Sequence, residues 1–470
     1  MSESYEELVR RIAKLVKQNK ELKEENNRLH SLYEKLQDEN EQLKKLLGKY
    51  QATLELPGEK DEQKTLRFQM ATVLFANIHG FSRLNDKIDS QKVIDQLDSI
   101  MFHFENVIHK YKIEKIKTIG DTLMCAGGIP QKNITNPVEV VLAALEMVMI
   151  VDEIQHQSDN DKIWEIKMGI HTGPVTATLG GNKKSTYELK GDTVNIATRL
   201  ESSGVPGNII ISANTYELVK EFFTCEYMGK MPIKYHGDID IYLVKGIKPE
   251  LSVNEQGKVP NDLFRTRFGL LQFTDLQEII LDRLEKELPP YLYYHNVKHT
   301  VDVITEVELI GWGEGVSDEE ILLLKTAALF HDSGHIISYD NHEYFGTVLA
   351  REYLPKFNYT NEQIEIICEL IMATKLPPKP KNLLEKIMCD ADLDYLGRSD
   401  FIPVSNTLYR ELKEQNKIGS LNDWNKLQLK FISGHQYFTQ TALSLREVNK
   451  QKQIERIMQL IEPEPNEPQP

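Results

Sequence analysis

Apolar residues recur every seven positions between residues 5 and 50. Leucine holds one position of each repeat, at Leu8, Leu15, Leu22, Leu29, Leu36 and Leu43. The position four further on holds Ile12, Asn19, Asn26, Tyr33, Asn40 and Leu47. Unbroken leucine at d with several asparagines at a predicts a parallel two-stranded coiled coil over 1–50, because buried asparagines pair across the seam and fix its register. A homodimer is therefore expected. Pro57-Gly58 and the polar run after it make 51–66 a linker.

The period then changes. From 67 to 248, β-branched apolar runs alternate with amphipathic ones. Strands are predicted at 70–77, 114–118, 122–127, 166–178, 208–212 and 239–246, and helices at 90–111, 136–156, 192–203 and 213–222. Such alternation predicts an α/β sandwich. Residues 249–262, with Pro249, Gly257 and Pro260, read as a second linker. Beyond it the pattern is almost pure helix, with amphipathic runs at 263–288, 295–311, 318–332, 340–354, 361–374, 381–389, 404–415 and 421–450. That predicts an all-α domain over 263–461, followed by a disordered, proline-rich tail at 462–470.

Composition narrows the function classes. A chain of 470 residues has room for two or three domains, and 40% hydrophobic content is enough to build their cores. A net charge of −15 argues against nucleic acid or an anionic membrane as a partner, but not against small anionic substrates carried with metal ions. The cysteines Cys125, Cys225, Cys368 and Cys389 are scattered, as in a reducing cytoplasm. The most apolar helical stretch, 140–151, is short and carries Glu146, so no bilayer span is expected. The charged N-terminus does not read as a secretory leader. A soluble, cytoplasmic protein is expected.

The run Met70 to Asn77 ends a strand in a polar residue just before a glycine turn and a helix. That sets an oxygen ligand beside backbone N–H groups suited to phosphate. The segments Phe75-Ala76-Asn77-Ile78-His79-Gly80-Phe81, Lys117-Thr118-Ile119-Gly120-Asp121, Gly169-Ile170-His171-Thr172-Gly173 and Leu189-Lys190-Gly191-Asp192-Thr193-Val194-Asn195 follow in order. Together they resemble the class III nucleotidyl cyclases, the adenylate and guanylate cyclase family. The resemblance implies a ferredoxin-like βαββαβ core working as a head-to-tail dimer on a nucleoside triphosphate.

Family members cyclise the triphosphate with two divalent ions, Mg²⁺ or Mn²⁺, bridged by two aspartates. Asp121 matches the second aspartate, and Asn77 stands where the first is expected. Lys117 matches the base-reading position, where a lysine donor suits adenine N1; Glu188 matches the second base-reading position, and both point to ATP. Asn195 and Arg199, four apart on one helical face, match the ribose-orienting and transition-state residues. Lys234 matches the lysine that holds the terminal phosphates, and Gly80 and Phe81 belong to the phosphate turn.

The second half carries Tyr294-His295-Asn296-Val297-Lys298-His299, then Phe330-His331-Asp332-Ser333-Gly334-His335, then Cys389-Asp390-Ala391-Asp392. This ordered set resembles the HD-domain metal-dependent phosphohydrolases, and its first segment is also similar to cyclic-nucleotide phosphodiesterases. The resemblance implies that His299, His331, Asp332 and Asp392 ligate a divalent ion such as Mn²⁺, Mg²⁺, Fe²⁺ or Zn²⁺ that activates water against a small phosphorylated substrate. His295, four residues before His299, matches the general acid. His335, His435 and His171 are expected to be structural, and Lys375 and Arg398 to be solvated. The purine-clamping glutamine of the phosphodiesterases has no recognisable counterpart.

Overall fold

The computed structural model describes residues 65–79, 90–156, 164–179, 187–233 and 237–462. The heptads of 1–50, the turn residues Gly80 and Phe81, Lys234 and the tail from 463 lie outside the described residues.

The first half is a mixed sheet with helices packed on it. In chain order it runs β1 (Thr65–His79), α1 (Ser90–Lys110), β2 (Glu114–Ile119), β3 (Thr122–Gly127), α2 (Asn136–His156) and β4 (Glu165–Leu179). It continues with β5 (Tyr187–Lys190), α3 (Asp192–Ser203), β6 (Ile209–Ser212), α4 (Ala213–Val219), β7 (Phe223–Ile233) and β8 (Gly237–Ile247). The sheet order is β2-β3-β1-β4-β6-β8-β7, with β5 paired to β4. Its first four strands are antiparallel in the order β2-β3-β1-β4, the ferredoxin-like split βαβ arrangement. Only β4 and β6 run parallel.

Period-two alternation in β1 decides what faces where. Leu74, Ala76 and Ile78 join the core under α1 and α2, with Phe104, Val140, Ala144 and Met147. Val73 and Phe75 pack on the opposite face with Met124, Val175, Leu189 and Ala197. Asn77 follows Val73 and Phe75 onto that second face. Both faces of β1 are covered, which is why the strand reads as a continuous apolar run.

Two strands escaped the sequence pattern. β5 is only four residues long, and β7 is an edge strand broken by Gly229 and Pro232, with little alternation to read.

Residues 249–262 form two 3₁₀ turns rather than an extended tether, and Leu251 is fully buried. They lead into α5 (Asp262–Glu287), whose N-cap Asn261 accepts from Phe264 N. α5 belongs to both halves. Its Phe264 packs in the core under the sheet, whereas Phe273, Leu276, Ile280 and Leu284 enter the helical core.

Eight further helices complete the second half: α6 (Val297–Glu314), α7 (Asp318–Phe330), α8 (His342–Tyr353), α9 (Asn361–Ala373), α10 (Leu383–Asp392), α11 (Phe401–Glu414), α12 (Leu421–Gly434) and α13 (Gln440–Leu460). The pattern had predicted one helix over 421–450. The chain breaks instead at 435–439, where Asp390 accepts from Phe438 N, Thr439 N and the Thr439 hydroxyl. This tertiary contact starts a new helix at a place where the local sequence would continue the old one.

Candidate active sites

In the sheet domain, Asn77 near the end of β1 pairs in register with Thr122 of β3. Ile78 N donates to the Asp121 carbonyl at 3.0 Å, which holds the β2–β3 turn beside Asn77. Asn77 Oδ1 is buried and takes no hydrogen bond. An orphaned buried carbonyl oxygen costs about 1–3 kcal/mol, and a cation would remove that cost. The Asp121 turn thus lies beside a buried oxygen that a cation would satisfy.

Lys117 lies at a bulge in β2 and is exposed, and Glu188 on β5 is exposed and 3.4 Å from Lys190 Nζ. Asn195 and Arg199 share the exposed face of α3, and Arg199 donates to the Pro232 carbonyl at 3.1 Å. Among the described residues no hydrogen bond or ion pair joins Asn195 or Arg199 to Asn77 or Asp121.

In the helical domain the predicted ligands converge. His299 lies in the first turn of α6, where its N–H is capped by Asn296 Oδ1. His331 and Asp332 follow the C-terminus of α7, a helix buried from Ile321 to Phe330 apart from a half-buried Lys325. Asp392 ends α10. His331 Nε2 lies 3.3 Å from His299 Nε2, and His299 Nε2 lies 3.2 Å from Asp392 Oδ1. Asp332 Oδ2 is 3.4 Å from His299 Nε2 and 3.3 Å from His331 Nε2.

Donors held about 2.1 Å from one ion in tetrahedral or octahedral geometry are separated by about 3.0–3.4 Å, so this set fits a divalent ion. His331 Nδ1 donates to the Ala328 carbonyl at 2.8 Å, which turns Nε2 toward the cluster. Burial works against charging His331, yet Asp332 and Asp392 hold its imidazole well above the ordinary histidine range. The Asp332 carboxyl is likewise held well below its ordinary value, against burial, chiefly by His331. The cluster demands positive charge.

A second donor group lies on the other side of Asp332, formed by His295, Asp332 and His335. His335 is 3% exposed, and neither ring nitrogen has a hydrogen-bond partner. Burial pushes it down to about 2, so its imidazole is neutral. His342 Nε2 comes within 3.5 Å of Asp332 Oδ1. Gly334 permits this approach, because a Cβ there would sit 1.9 Å from the His342 carbonyl oxygen.

His295 precedes α6 instead of sharing a helical face with His299, and its position comes from α11. Glu411, with no exposed surface, accepts from His295 Nδ1 at 2.5 Å and from Tyr294 N at 2.9 Å. Burial opposes it, but the Glu411 contact raises His295 above the ordinary histidine range. Glu411 stands 116 residues away in an ordinary amphipathic helix, and nothing in the sequence marked it.

His295, Asp332, His342 and Asp392 line a cavity of about 510 Å³ whose lining also includes Tyr339, Phe401, Trp424, Gln428 and Phe431. The Gln428 amide is fixed, since Ser405 Oγ donates to its Oε1 and its Nε2 donates to Asn425 Oδ1 at 3.0 Å. Lys375 lines the same cavity and is exposed. Arg398 is not solvated as expected: it donates to both Asp400 oxygens and to Asp302 Oδ2 at 2.8 Å.

Residues 63–246 match the family model described as the adenylate and guanylate cyclase catalytic domain, and residues 296–394 match that of the HD domain. The chain is 33% identical over 231 residues to the receptor-type guanylate cyclase gcy-23 of Caenorhabditis elegans, covering 47% of this chain and 21% of that protein. It is 32% identical over 189 residues to human guanylyl cyclase C, covering 39% and 17%. The chain thus spans about a fifth of the length of the curated relatives it matches. Among solved structures, the adenylyl cyclase CyaB from P. aeruginosa is 29% identical, with 41% of this chain and 100% of that one covered at a TM-score of 0.37. The catalytic core of a rhodopsin-guanylyl cyclase in complex with ATPαS is 26% identical, with 39% and 100% covered at a TM-score of 0.35. No described helix is long and apolar enough to cross a membrane.

Proposed function

We propose that this chain, which joins a class III adenylate and guanylate cyclase catalytic domain to an HD domain, is a dimeric cyclic-nucleotide signalling protein. In this reading the HD domain hydrolyses a phosphodiester and the cyclase domain takes ATP. The observation that carries it is the convergence of His299, His331, Asp332 and Asp392, two of which, Asp332 and Asp392, line a cavity that Trp424, Phe431 and Gln428 also line. Its volume suits a nucleotide.

His299, His331, Asp332 and Asp392 would hold one divalent ion, and Asp332 with His335 and His342 offers a place for a second. Bound there, Mn²⁺, Mg²⁺, Fe²⁺ or Zn²⁺ supplies Lewis-acid charge and an activated water. The protein's own residues do the rest. His295, kept protonated by Glu411, gives its proton to the departing ester oxygen. Trp424 and Phe431 bound the space for a base, and Gln428 offers it an amide of fixed orientation.

In the cyclase domain Asn77 and Asp121 would hold Mg²⁺ or Mn²⁺, which lowers the pKa of the ribose hydroxyl and neutralises the leaving pyrophosphate. Lys117 and Glu188 read adenine, Asn195 orients the ribose, Arg199 stabilises the transferring phosphate, and Gly80, Phe81 and Lys234 hold the terminal phosphates. In this reading the metal-binding pair of one copy meets the base-reading and phosphate residues of a second, the arrangement a coiled coil over 1–50 would favour. Asn77 also supports a second reading. With one carboxylate where two are expected, the domain binds ATP and signals to the HD domain without cyclising it.

One experiment tests both. Purified protein is incubated with each nucleoside triphosphate or cyclic nucleotide and Mn²⁺, and products are resolved by chromatography. A cyclic product from the unmodified chain removes the second reading. Phosphodiester hydrolysis that survives Asp332→Ala removes the HD assignment.

A further inference from the structure

Six polar side chains in the core of the cyclase domain form one connected line. His171, Thr172, Ser212, Thr215, Thr72 and Asn136 are each at least nine-tenths buried. The hydrogen bonds run His171 Nδ1 to Ser212 Oγ at 2.6 Å, Ser212 Oγ to Thr215 Oγ1 at 3.2 Å, Thr215 to Thr172 at 3.1 Å, and Thr172 to Thr72 at 2.9 Å. Thr72 Oγ1 donates to Asn136 Oδ1 at 2.5 Å, and Asn136 Nδ2 donates to the Asn133 carbonyl at 2.5 Å.

The direction of every proton follows. Each hydroxyl has one proton, and that of Thr72 is committed to Asn136. Thr172 must therefore donate to Thr72, Thr215 to Thr172, Ser212 to Thr215, and His171 Nδ1 to Ser212. A chain polarised in one direction is strengthened at each link and weakened by removal of any one.

The line reaches the surface elements at Thr172, within its length, and at Asn136, its end. On β4, Thr172 is followed by Gly173 and Pro174, and the Pro174 carbonyl accepts from Thr193 Oγ1 at 2.7 Å in the first turn of α3. A Cβ on Gly173 would lie 2.7 Å from that hydroxyl, so a side chain there would displace the contact. α3 is the helix that carries Asn195 and Arg199. At the other end, Asn136 fixes the turn at 133–135, and Ile134 N donates to Asp275 Oδ1 at 2.9 Å and Oδ2 at 3.1 Å. Asp275 lies on α5, between residues packed in the HD core. Lys112 Nζ supplies a second tie, to the Lys356 carbonyl at 2.6 Å and Asn358 Oδ1 at 3.2 Å.

We infer that this buried polar line, from α3 through Thr172, Thr72 and Asn136 to Asp275, carries nucleotide occupancy of the cyclase domain to the HD domain. A shift of α3 on binding a triphosphate pulls on β4 at Pro174; Thr172 stands directly opposite Thr72 in the β4–β1 ladder, so the pull passes through that pair to Asn136 and displaces the 133–135 turn. That turn holds α5 by a charged, nearly water-free contact, so α5 and the helices packed on it must follow. The inference rests on the reading that α3 meets nucleotide.

The test uses the full chain with Mn²⁺ and α,β-methylene ATP, a triphosphate that cannot be cyclised. Three quantities are read: binding of the analogue by calorimetry, hydrolysis of bis(p-nitrophenyl) phosphate, and deuterium exchange across 130–138. In the parent the analogue should change hydrolysis by about fivefold or more and alter exchange in that segment. Thr72→Val should reduce the change in hydrolysis below about twofold, with analogue affinity and basal hydrolysis retained, whereas Thr72→Ser should keep the parent response. Asp275→Asn tests the other end and removes dependence on the folding of Thr72→Val. A full response in Thr72→Val or Asp275→Asn overturns the inference, as does a parent that binds the analogue without any change in hydrolysis or exchange. A parent that fails to bind the analogue overturns the nucleotide reading itself, and this inference with it.

Discussion

His295 Nδ1 lies 2.5 Å from Oε1 of Glu411, a carboxylate with no exposed surface that also accepts from the Tyr294 and His295 backbone N–H groups. Burial opposes charging His295, and the Glu411 contact outweighs it, so the imidazole proposed as the acid for the leaving oxygen is held above its ordinary range.

Glu411→Gln keeps the shape and can still accept a hydrogen bond, but it removes the charge. The histidine, raised by that contact against burial, must then fall in pKa. An acid must be protonated to act, so the alkaline limb of the pH–rate profile moves to lower pH. With a cyclic nucleotide as substrate, kcat should drop about a hundredfold, the lower range for lost general acid catalysis. With bis(p-nitrophenyl) phosphate, whose leaving group needs no proton, the drop should be small. Equal losses on the two substrates would count against His295 as the acid.

The four donors around His299 make a prediction about stability. Without a cation, the two carboxylates lie 3.2–3.5 Å from the histidine nitrogens and depend on a proton held by His331 for compensation. An ion bound at a hundred times its dissociation constant stabilises the folded state by about 2.7 kcal/mol, or about 5–10 °C in melting temperature for a domain of this size. Thermal melts with and without Mn²⁺ should show that rise in the parent. His331→Ala should lose both the rise and the hydrolysis.

The ligands themselves were legible because each sits beside another in a short segment, such as His331-Asp332, at a helix end. Their supports were not. Glu411 and Gln428 lie on α11 and α12, where an isolated acid or amide reads as the polar side of an amphipathic helix. Only the packing of α11 against the 394–397 turn and of α12 against α13 turns them inward. The burial of His335 without a hydrogen-bond partner was invisible for a related reason, since it is a property of three dimensions. The sheet was legible where strands alternate strictly or are covered on both faces, as β1 is. β7 was missed because an edge strand with Gly229 and Pro232 carries no clear period. The break between α12 and α13 is made by Asp390, 45 residues before His435 and invisible to local pattern.

Gln428 lends itself to a test by subtraction. Its amide is orientated by Ser405 and Asn425, so it presents a fixed donor and acceptor to whatever fills the cavity beside Trp424. Loss of one or two neutral hydrogen bonds to a base is worth about 0.5–1.5 kcal/mol each. Gln428→Ala should therefore raise KM for a cyclic purine nucleotide about threefold to tenfold. It should leave KM for bis(p-nitrophenyl) phosphate unchanged, because that diester has no base. A uniform effect on both would assign Gln428 to packing alone.

Asn77 offers the sharpest contrast between apo and metal-bound states. Its Oδ1 is buried without a partner, and the Asp121 turn is pinned beside it by the hydrogen bond from Ile78 N. In Asn77→Asp the new charge would face Asp121 with no compensation, so the variant should melt below the parent in chelator. Mn²⁺ with a triphosphate should reverse the order, because two carboxylates hold a divalent ion better than one carboxylate and an amide. If the chemical step is limited by the missing charge, cyclic product should rise by about a hundredfold, the return of a few kcal/mol in the transition state. A variant whose melting order does reverse, yet which makes no more product than the parent, would place the limit elsewhere in the site. The domain would then be a nucleotide sensor whose lost chemistry is not restored at Asn77.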